Sequence, residues 1–165
     1  TEFINWTPLV KNEWREGLRL LQLAADSSEI SRDAARTSLI WVYINEGDYD
    51  TAIRLADQMR QRYPDGLIFH WALGQAFFEK EDYRMAASVY HSIFNHLRLD
   101  PGNYYNIIEA AYYLTRSYHN VSQNDPNAVP QLKRLQTQIA NFPIPPEIRK
   151  RQADKLDEIF GPITR

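Results

Sequence analysis

The chain alternates hydrophobic and polar positions with the three-and-four spacing of an amphipathic helix. One such run ends at Gly47. A second run begins after Asp48, whose carboxylate suits a helix N-cap, and stops at Pro64. These runs predict two antiparallel helices joined by a short turn. The apolar positions are Leu39, Ile40, Tyr43 and Ile44 in the first run and Tyr49, Ala52, Ile53, Ala56 and Met59 in the second.

The same hairpin pattern returns after 34 residues, which indicates an internal repeat. We expect Ala52 and Ala86 to lie where the two helices of each hairpin cross closely, and Gly74 to serve the second copy in the same way. Ile40 stands in the place of Gly74 in the first copy, so the local packing must differ there. The offset pairs Leu39 with Leu73, Tyr43 with Phe77, Asp48 with Asp82, Tyr49 with Tyr83 and Ala52 with Ala86.

Both flanks carry weaker copies of the pattern. The segment EWREGLRLLQLAADSS aligns with the second helix of the hairpin and lacks a first helix. We expect its missing partner either upstream of Thr1, in a longer array, or replaced by a cover formed by Phe3, Ile4 and Trp6. Downstream, NYYNIIEAAYYLTRSYHN predicts a third first helix, and Asp125–Pro126 predicts the start of its partner. A final amphipathic helix is predicted to turn Ile148, Leu156, Ile159 and Phe160 inward.

The repeat resembles the tetratricopeptide repeat family. The second copy, with WALGQAF, Tyr83, Ala86, Tyr90 and Pro101, is similar to the family pattern of Trp-x-x-Leu-Gly-x-x-Tyr, Ala, Phe and Pro, although Trp71 is one place off and the proline three residues late. The resemblance implies an all-α, right-handed superhelix of antiparallel helical hairpins, with about eight helices. We predict one domain over 1–165, with a half repeat at 1–30, repeats at 31–66, 67–102 and 103–144, and a capping helix at 145–165.

The resemblance also implies that the first helices line a concave groove. After the packing positions are assigned, the remaining groove residues are rich in Trp and Tyr, which offer large contact area at low entropic cost. The same rings could instead pack between adjacent first helices, or beneath a terminal segment folded back into the groove. The predicted partner-binding residues are Trp41, Ile44, Asn45, Trp71, Gln75, Phe78, Tyr105, Tyr112 and Arg116.

The groove lacks the Lys, Asn and Arg with which related modules grip a C-terminal carboxylate, since Thr37, Trp41, Trp71 and Gln75 stand there. We therefore do not expect a chaperone-tail clamp. The resemblance favours a non-catalytic module that binds a peptide or helix of a partner protein. The alternative is a structural domain that stacks on the rest of its own chain or self-associates through its open N-terminal end.

Composition narrows the functional classes. A length of 165 residues with 44% hydrophobic and 24% charged residues is typical of a globular domain. The net charge of −2 leaves no broad cationic surface for nucleic acid, and no apolar run approaches a membrane span. The absence of cysteine excludes disulfides and thiolate metal sites, and leaves the compartment open.

No motif predicts catalysis, a cofactor or a metal. The sequence contains no glycine-rich phosphate loop, no Gly-x-Ser-x-Gly and no His-Glu-x-x-His. His91 and His96 are five residues apart and so project about 140° from each other on a helix. We expect no catalytic residue, no cofactor and no metal site.

Overall fold

The computed structural model describes residues 8–27, 31–100 and 102–161, so Phe3, Ile4, Trp6 and Pro101 lie outside the described residues. Over these ranges the chain is all-α and has nine helices. Helix α1 lies within the predicted half repeat, and α2–α3, α4–α5 and α6–α7 lie within the three predicted repeats. The helices are α1 (Pro8–Ser27), α2 (Arg32–Glu46), α3 (Tyr49–Arg62), α4 (Leu67–Glu79), α5 (Tyr83–Leu97), α6 (Tyr104–Ser122), α7 (Ala128–Ala140), α8 (Pro146–Arg151) and α9 (Ala153–Phe160).

The all-helical class and the packing of helices against their neighbours in sequence are confirmed over the described residues. This arrangement is consistent with a helical repeat. The right-handed superhelix and the family resemblance stay predictions. The residues fall into two compact units, Thr1–Ala72 and Leu73–Arg165, whose boundary lies inside α4. The single domain also stays a prediction.

In the first unit, α2 packs against both α1 and α3. Ala25 of α1 is buried with Ala35 and Leu39 of α2. Leu18 and Leu21 add apolar area at the same place, so α1 uses one face of its surface against α2. Burial of this face explains why α1, predicted as a second helix without its first, forms a helix here.

The ends of the first hairpin are joined by polar contacts. The hydroxyl of Tyr63, which follows α3, donates to the carboxylate of Asp33 at the start of α2. The Arg62 guanidinium lies 3.4 Å from the same carboxylate. The Tyr63 ring also stacks on Phe69 of α4, with ring centroids 5.9 Å apart. These contacts fix where the chain leaves the first hairpin.

The two copies begin their second helices in the same way. Asp48 accepts a hydrogen bond from the Thr51 backbone N–H at 3.2 Å, and Asp82 accepts one from Met85 at the same distance. The predicted cap at Asp48 is therefore confirmed, and its counterpart reproduces it. Ala52 and Ala86, one turn further on, are both fully buried, as expected for the close crossing.

In the second unit, α6 lies at the centre and packs against α5, α7 and α9. Tyr90 of α5 is fully buried beneath Gly74 of α4. A Cβ atom on Gly74 would lie 2.8 Å from the Tyr90 ring, so the expected close approach at this glycine is confirmed. The largest fully buried side chains of this unit are Tyr90, Phe94, Ile93, Leu97, Ile107, Ile108, Leu114, Leu132, Ile139 and Ile159.

Two details of the C-terminal region differ from expectation. The predicted capping helix is two helices, because Gln152 leaves the helical conformation (φ −115°, ψ 22°) between α8 and α9. The break brings the count to nine helices and lets α9 pack on α6 with Leu156 and Ile159 buried. Phe160, predicted to point inward, is 41% exposed because it ends α9 beyond this contact.

Helix α7 starts two residues later than predicted. Asp125 does not cap it, because its carboxylate accepts instead from the backbone N–H of Asn127 at 3.0 Å. The other carboxylate oxygen accepts from Arg84 of α5 at 3.0 Å. The backbone hydrogen bond, followed by the Arg84 contact, lowers the pKa of Asp125. Asp125 therefore orders the turn before α7 and joins it to α5.

Candidate partner-binding surface

The second unit brings three predicted partner-binding residues together. The guanidinium carbon of Arg116 lies 5.1 Å from the ring centroid of Phe78 on α4 and 5.5 Å from that of Tyr112 on α6. An Arg Nη1 also donates to the Tyr112 hydroxyl at 3.2 Å. Arg116 and Tyr112 are four residues apart and share a helix face. We call Phe78, Tyr112 and Arg116 the aromatic surface.

Tyr113 connects this surface to the core. Its ring lies 5.4 Å from Phe78 and 5.3 Å from Tyr112, both edge-on, and stacks on the buried Tyr90 ring at 5.0 Å. Burial and the nearby Glu109 charge raise the pKa of Tyr113. Rings held on several sides lose little freedom when a partner binds.

Tyr113 was missed among the predicted site residues, although a signal for it exists. Two steps of the 34-residue offset lead from Asn45, a predicted partner-binding residue, through Glu79 to Tyr113. The offset from Phe78 leads to Tyr112 in the same way. Applying the 34-residue offset to every predicted groove residue would have added Tyr113 to the predicted site.

Gln75 lies beside this cluster, and its amide is already engaged. The Nε2 atom donates to Glu79 at 2.6 Å, and the Oε1 atom accepts from the Tyr90 hydroxyl at 3.4 Å. Gln75 is half-buried. The Gln75 amide therefore bridges Glu79 and the buried Tyr90. A partner would contact only the part of Gln75 that stays exposed.

The two C-terminal helices reach the predicted groove residues of α6. Lys155 of α9 forms an ion pair with Glu109, and its ammonium lies 5.7 Å from the Tyr112 ring centroid. Arg151 of α8 lies 3.4 Å from the Tyr105 hydroxyl. Tyr105 nevertheless remains 42% exposed. The C-terminal helices therefore contact this part of α6 through Arg151 and Lys155.

The first unit holds the other four predicted residues. Ile44 is only 8% exposed and belongs to the core, so it offers little surface to a partner. Asn45 is exposed at the end of α2. Trp41 and Trp71 are both half-buried, which fits a packing role as well as a partner-facing role. Of these four, the tryptophans supply the large rings that an interface would use.

The described residues contain no cluster of three or more His, Cys, Asp or Glu side chains that could hold a metal ion. His91 is engaged with Asn95, at 3.1 Å between the ring Nε2 and the amide nitrogen. Over the same part of the chain, no helix combines the length and the apolar character that crossing a membrane requires.

No protein-family model, curated protein or solved structure matches this chain. The contacts of its own residues are therefore the basis for any functional assignment.

Proposed function

We propose that this chain is a non-catalytic protein interaction module that binds a peptide or helix of a partner protein. The aromatic surface supplies the main anchor, and Trp41 and Trp71 supply a further set of rings in the first unit. Tyr105, Asn45 and the free surface of Gln75 add polar contacts. No cofactor or metal takes part in this function.

The observation that supports the proposal is the position of Arg116 between two rings. The residue is exposed, yet its guanidinium contacts Phe78 and Tyr112 and makes no ion pair with any described carboxylate. Exposed aromatic and arginine side chains are the residue types that dominate protein interfaces. A partner carboxylate could pair with Arg116 while an apolar side chain packs on the rings.

Selection from a phage-displayed random peptide library would test this function. We expect the chain to enrich peptides that combine an acidic residue with aromatic or aliphatic residues. The double variant Y112A/R116A should lose at least roughly ten-fold in affinity for the enriched peptides, because one anchor and its charge are removed.

The matched control is K133A/N106A, which changes two exposed residues of α7 and α6 outside the aromatic surface. The control should bind the enriched peptides as the unmodified chain does, and both variants should keep their helical content. Failure to enrich any peptide, or equal binding by Y112A/R116A and the control, would count against the aromatic surface as the binding site.

A structural role is the second candidate, and α1 carries the observation that favours it. Leu20 and Leu23 are 50% and 52% exposed and lie on the face of α1 that the contact with α2 does not use. Two leucines one turn apart suit packing against another helix. Light scattering over a concentration series of the chain and of L20S/L23S would test this role. A mass that rises with concentration and falls back in the variant would support assembly.

A further inference from the structure

A pocket lies in the second unit, between α5, α6 and α7, and the peptide-binding function does not use it. Its volume is about 580 Å³. Leu114 and Leu135, both buried, form its apolar floor. The polar side chains of the pocket come from all three helices, and they are His91, Asn95, Arg98, Tyr118, Gln131, Arg134 and Gln138.

The charge of this pocket has one sign. Arg98 and Arg134 line it, and among the described residues no carboxylate does. Neither guanidinium has an ion pair with any residue in the part of the chain that the structure describes. By contrast, Arg84, on the same helix α5 that Arg98 caps, is paired with Asp125. Arg98 and Arg134, both exposed side chains, therefore line the pocket without a neighbouring acid among the described residues.

Each neutral polar group of the pocket carries at least one hydrogen-bond donor beside its acceptors. Tyr118 is half-buried, and its hydroxyl has no hydrogen bond to any described residue. Burial raises the pKa of Tyr118 from the ordinary value of 10.0, at which the hydroxyl already keeps its proton at pH 7. The amides of Gln131 and Gln138 are likewise without a hydrogen bond among the described residues. Donors with no internal partner, beside two cations, favour an anionic ligand with several acceptor oxygens.

We infer that this pocket binds a phosphate dianion, either as free phosphate or as the head of a small phosphate monoester. Arg98 and Arg134 would supply charge-assisted hydrogen bonds, and Tyr118 with Gln131 would donate to the remaining oxygens. The apolar floor reduces the access of water to one side of the anion, which strengthens these contacts relative to bulk solvent.

The experiment is a titration of the isotopically labelled chain with sodium phosphate at pH 7, at fixed ionic strength, followed by nuclear magnetic resonance. Signals of the Arg98 and Arg134 Nε groups and of the Gln131 amide should shift and saturate. A parallel titration with glycerol 3-phosphate distinguishes the two sources. Tighter binding of the monoester assigns the pocket to a phosphorylated metabolite, and equal binding assigns it to free phosphate.

Variants separate a specific site from general attraction to positive charge. R98Q/R134Q should weaken phosphate binding by roughly ten-fold or more, because hydrogen bonds to charged groups are lost. The control K133Q/K150Q removes the same formal charge at two exposed lysines outside the pocket. It should stay within about two-fold of the unmodified chain, since screened surface charges contribute little.

The variant Y118F tests the neutral donors without changing the charge, and we expect a weakening of about three-fold. Shifts that never saturate would overturn the site. Equal weakening in R98Q/R134Q and K133Q/K150Q would overturn it as well. The enriched peptides of the interaction test should bind R98Q/R134Q normally, so that the outcome for this pocket is independent of the outcome for the aromatic surface.

Discussion

Glu81 occupies the left-handed conformation that Gly47 holds one repeat earlier, with φ of 65° against 80°. The hydrogen bonds around the two residues match. The Asp48 N–H donates to the Tyr43 carbonyl at 2.9 Å, and the Asp82 N–H donates to Phe77 at the same distance. The two copies therefore make the same turn, but only the first uses the residue that this conformation favours.

Replacing Glu81 with glycine is expected to stabilise the chain. A side chain at φ 65° crowds the following carbonyl, and its removal should raise the free energy of unfolding by roughly 0.5–1 kcal/mol. The opposite change, Gly47→Ala, should lower it by a similar amount, although nothing within 4 Å would contact the new Cβ. Urea denaturation of both variants measures the two effects. Destabilisation by Glu81→Gly would show that the Glu81 side chain makes contacts that outweigh the strain.

The two repeats fill the space between their paired helices in opposite ways. In the first, the fully buried Ile40 of α2 stands in the frame position of Gly74, and Ala56 of α3 stands in that of Tyr90. In the second, the large residue is Tyr90 on the second helix, and Gly74 on the first makes room for it. The large and small residues have thus exchanged helices.

Gly74→Ala should destabilise the second unit. The new Cβ would lie 2.8 Å from the Tyr90 ring, which is fully buried and stacked on Tyr113. Overpacking of this kind costs on the order of 1–3 kcal/mol. Thermal denaturation monitored by circular dichroism measures the loss.

Two further variants make this prediction specific. Gly17→Ala, in α1, places a Cβ in open space and should be neutral or stabilising, because alanine favours a helix interior. In a Tyr90→Ala background, Gly74→Ala should cost less than it does alone, since the clashing ring is absent. An equal cost in both backgrounds would mean that glycine is needed at position 74 for a reason other than Tyr90.

Local sequence signals predicted the helices well, since periodicity and caps act within one or two turns. The end of α2 at Gly47, the cap at Asp48 and the buried alanines follow from such signals. The break at Gln152 could not be predicted, because the residues around it are ordinary helix formers and the turn lets α9 pack on the distant α6. For the candidate site, the 34-residue repeat placed Phe78, Tyr112 and Arg116 on one predicted surface, and these three side chains are in contact. The contact of Lys155 with Glu109 depends on the turn at Gln152, which was not predicted.

The chain should lose stability in alkali. Burial raises the pKa of Tyr90 far above the ordinary value of 10.0, so the folded state keeps this proton while the unfolded state releases it. Stability from this group is complete below pH 10 and falls as the pH rises beyond it. Tyr113 and Tyr118, whose pKa values are also raised by burial, act in the same direction.

Urea denaturation at a series of pH values between 8 and 11 would measure this dependence. Tyr90→Phe keeps the buried ring and removes the ionisable group, so the free energy of unfolding of this variant should fall less steeply above about pH 10. Tyr49→Phe, the same substitution at a less buried position of the first repeat, is measured alongside as the control for removal of a tyrosine hydroxyl. If the free energy of unfolding falls equally with pH in Tyr90→Phe and in the unmodified chain, the loss of stability in alkali comes from groups other than Tyr90.

Alanine at Trp41 and Trp71 together tests the contribution of the first unit to partner binding. Both rings are half-buried, and we expect the double variant to lose affinity for the enriched peptides while its free energy of unfolding falls by roughly 1 kcal/mol or less. Circular dichroism and thermal denaturation report the folded state, and fluorescence anisotropy reports peptide binding. Unfolding of the variant would assign the two tryptophans to the core.

The ion pair of Lys155 with Glu109 is expected to hold α9 on α6. Both side chains are about one third exposed, so reversing one charge in Lys155→Glu should cost on the order of 1 kcal/mol. The loss should be local to α9, because Gln136 still donates to the Ile159 carbonyl at 2.7 Å and most of the core lies elsewhere. Hydrogen exchange should therefore accelerate in residues 153–160 before it changes in α5 or α6.

The double variant E109K/K155E restores opposite charges with their positions exchanged, and it should recover most of the protection in α9. Lys155→Glu also removes the ammonium that lies 5.7 Å from the Tyr112 ring centroid. If α9 competes with a partner for the aromatic surface, Lys155→Glu should strengthen peptide binding and the double variant should reverse the gain. Faster hydrogen exchange in α9 with unchanged peptide affinity would instead show that the partner contacts Phe78 and Arg116 from the side that α9 does not cover.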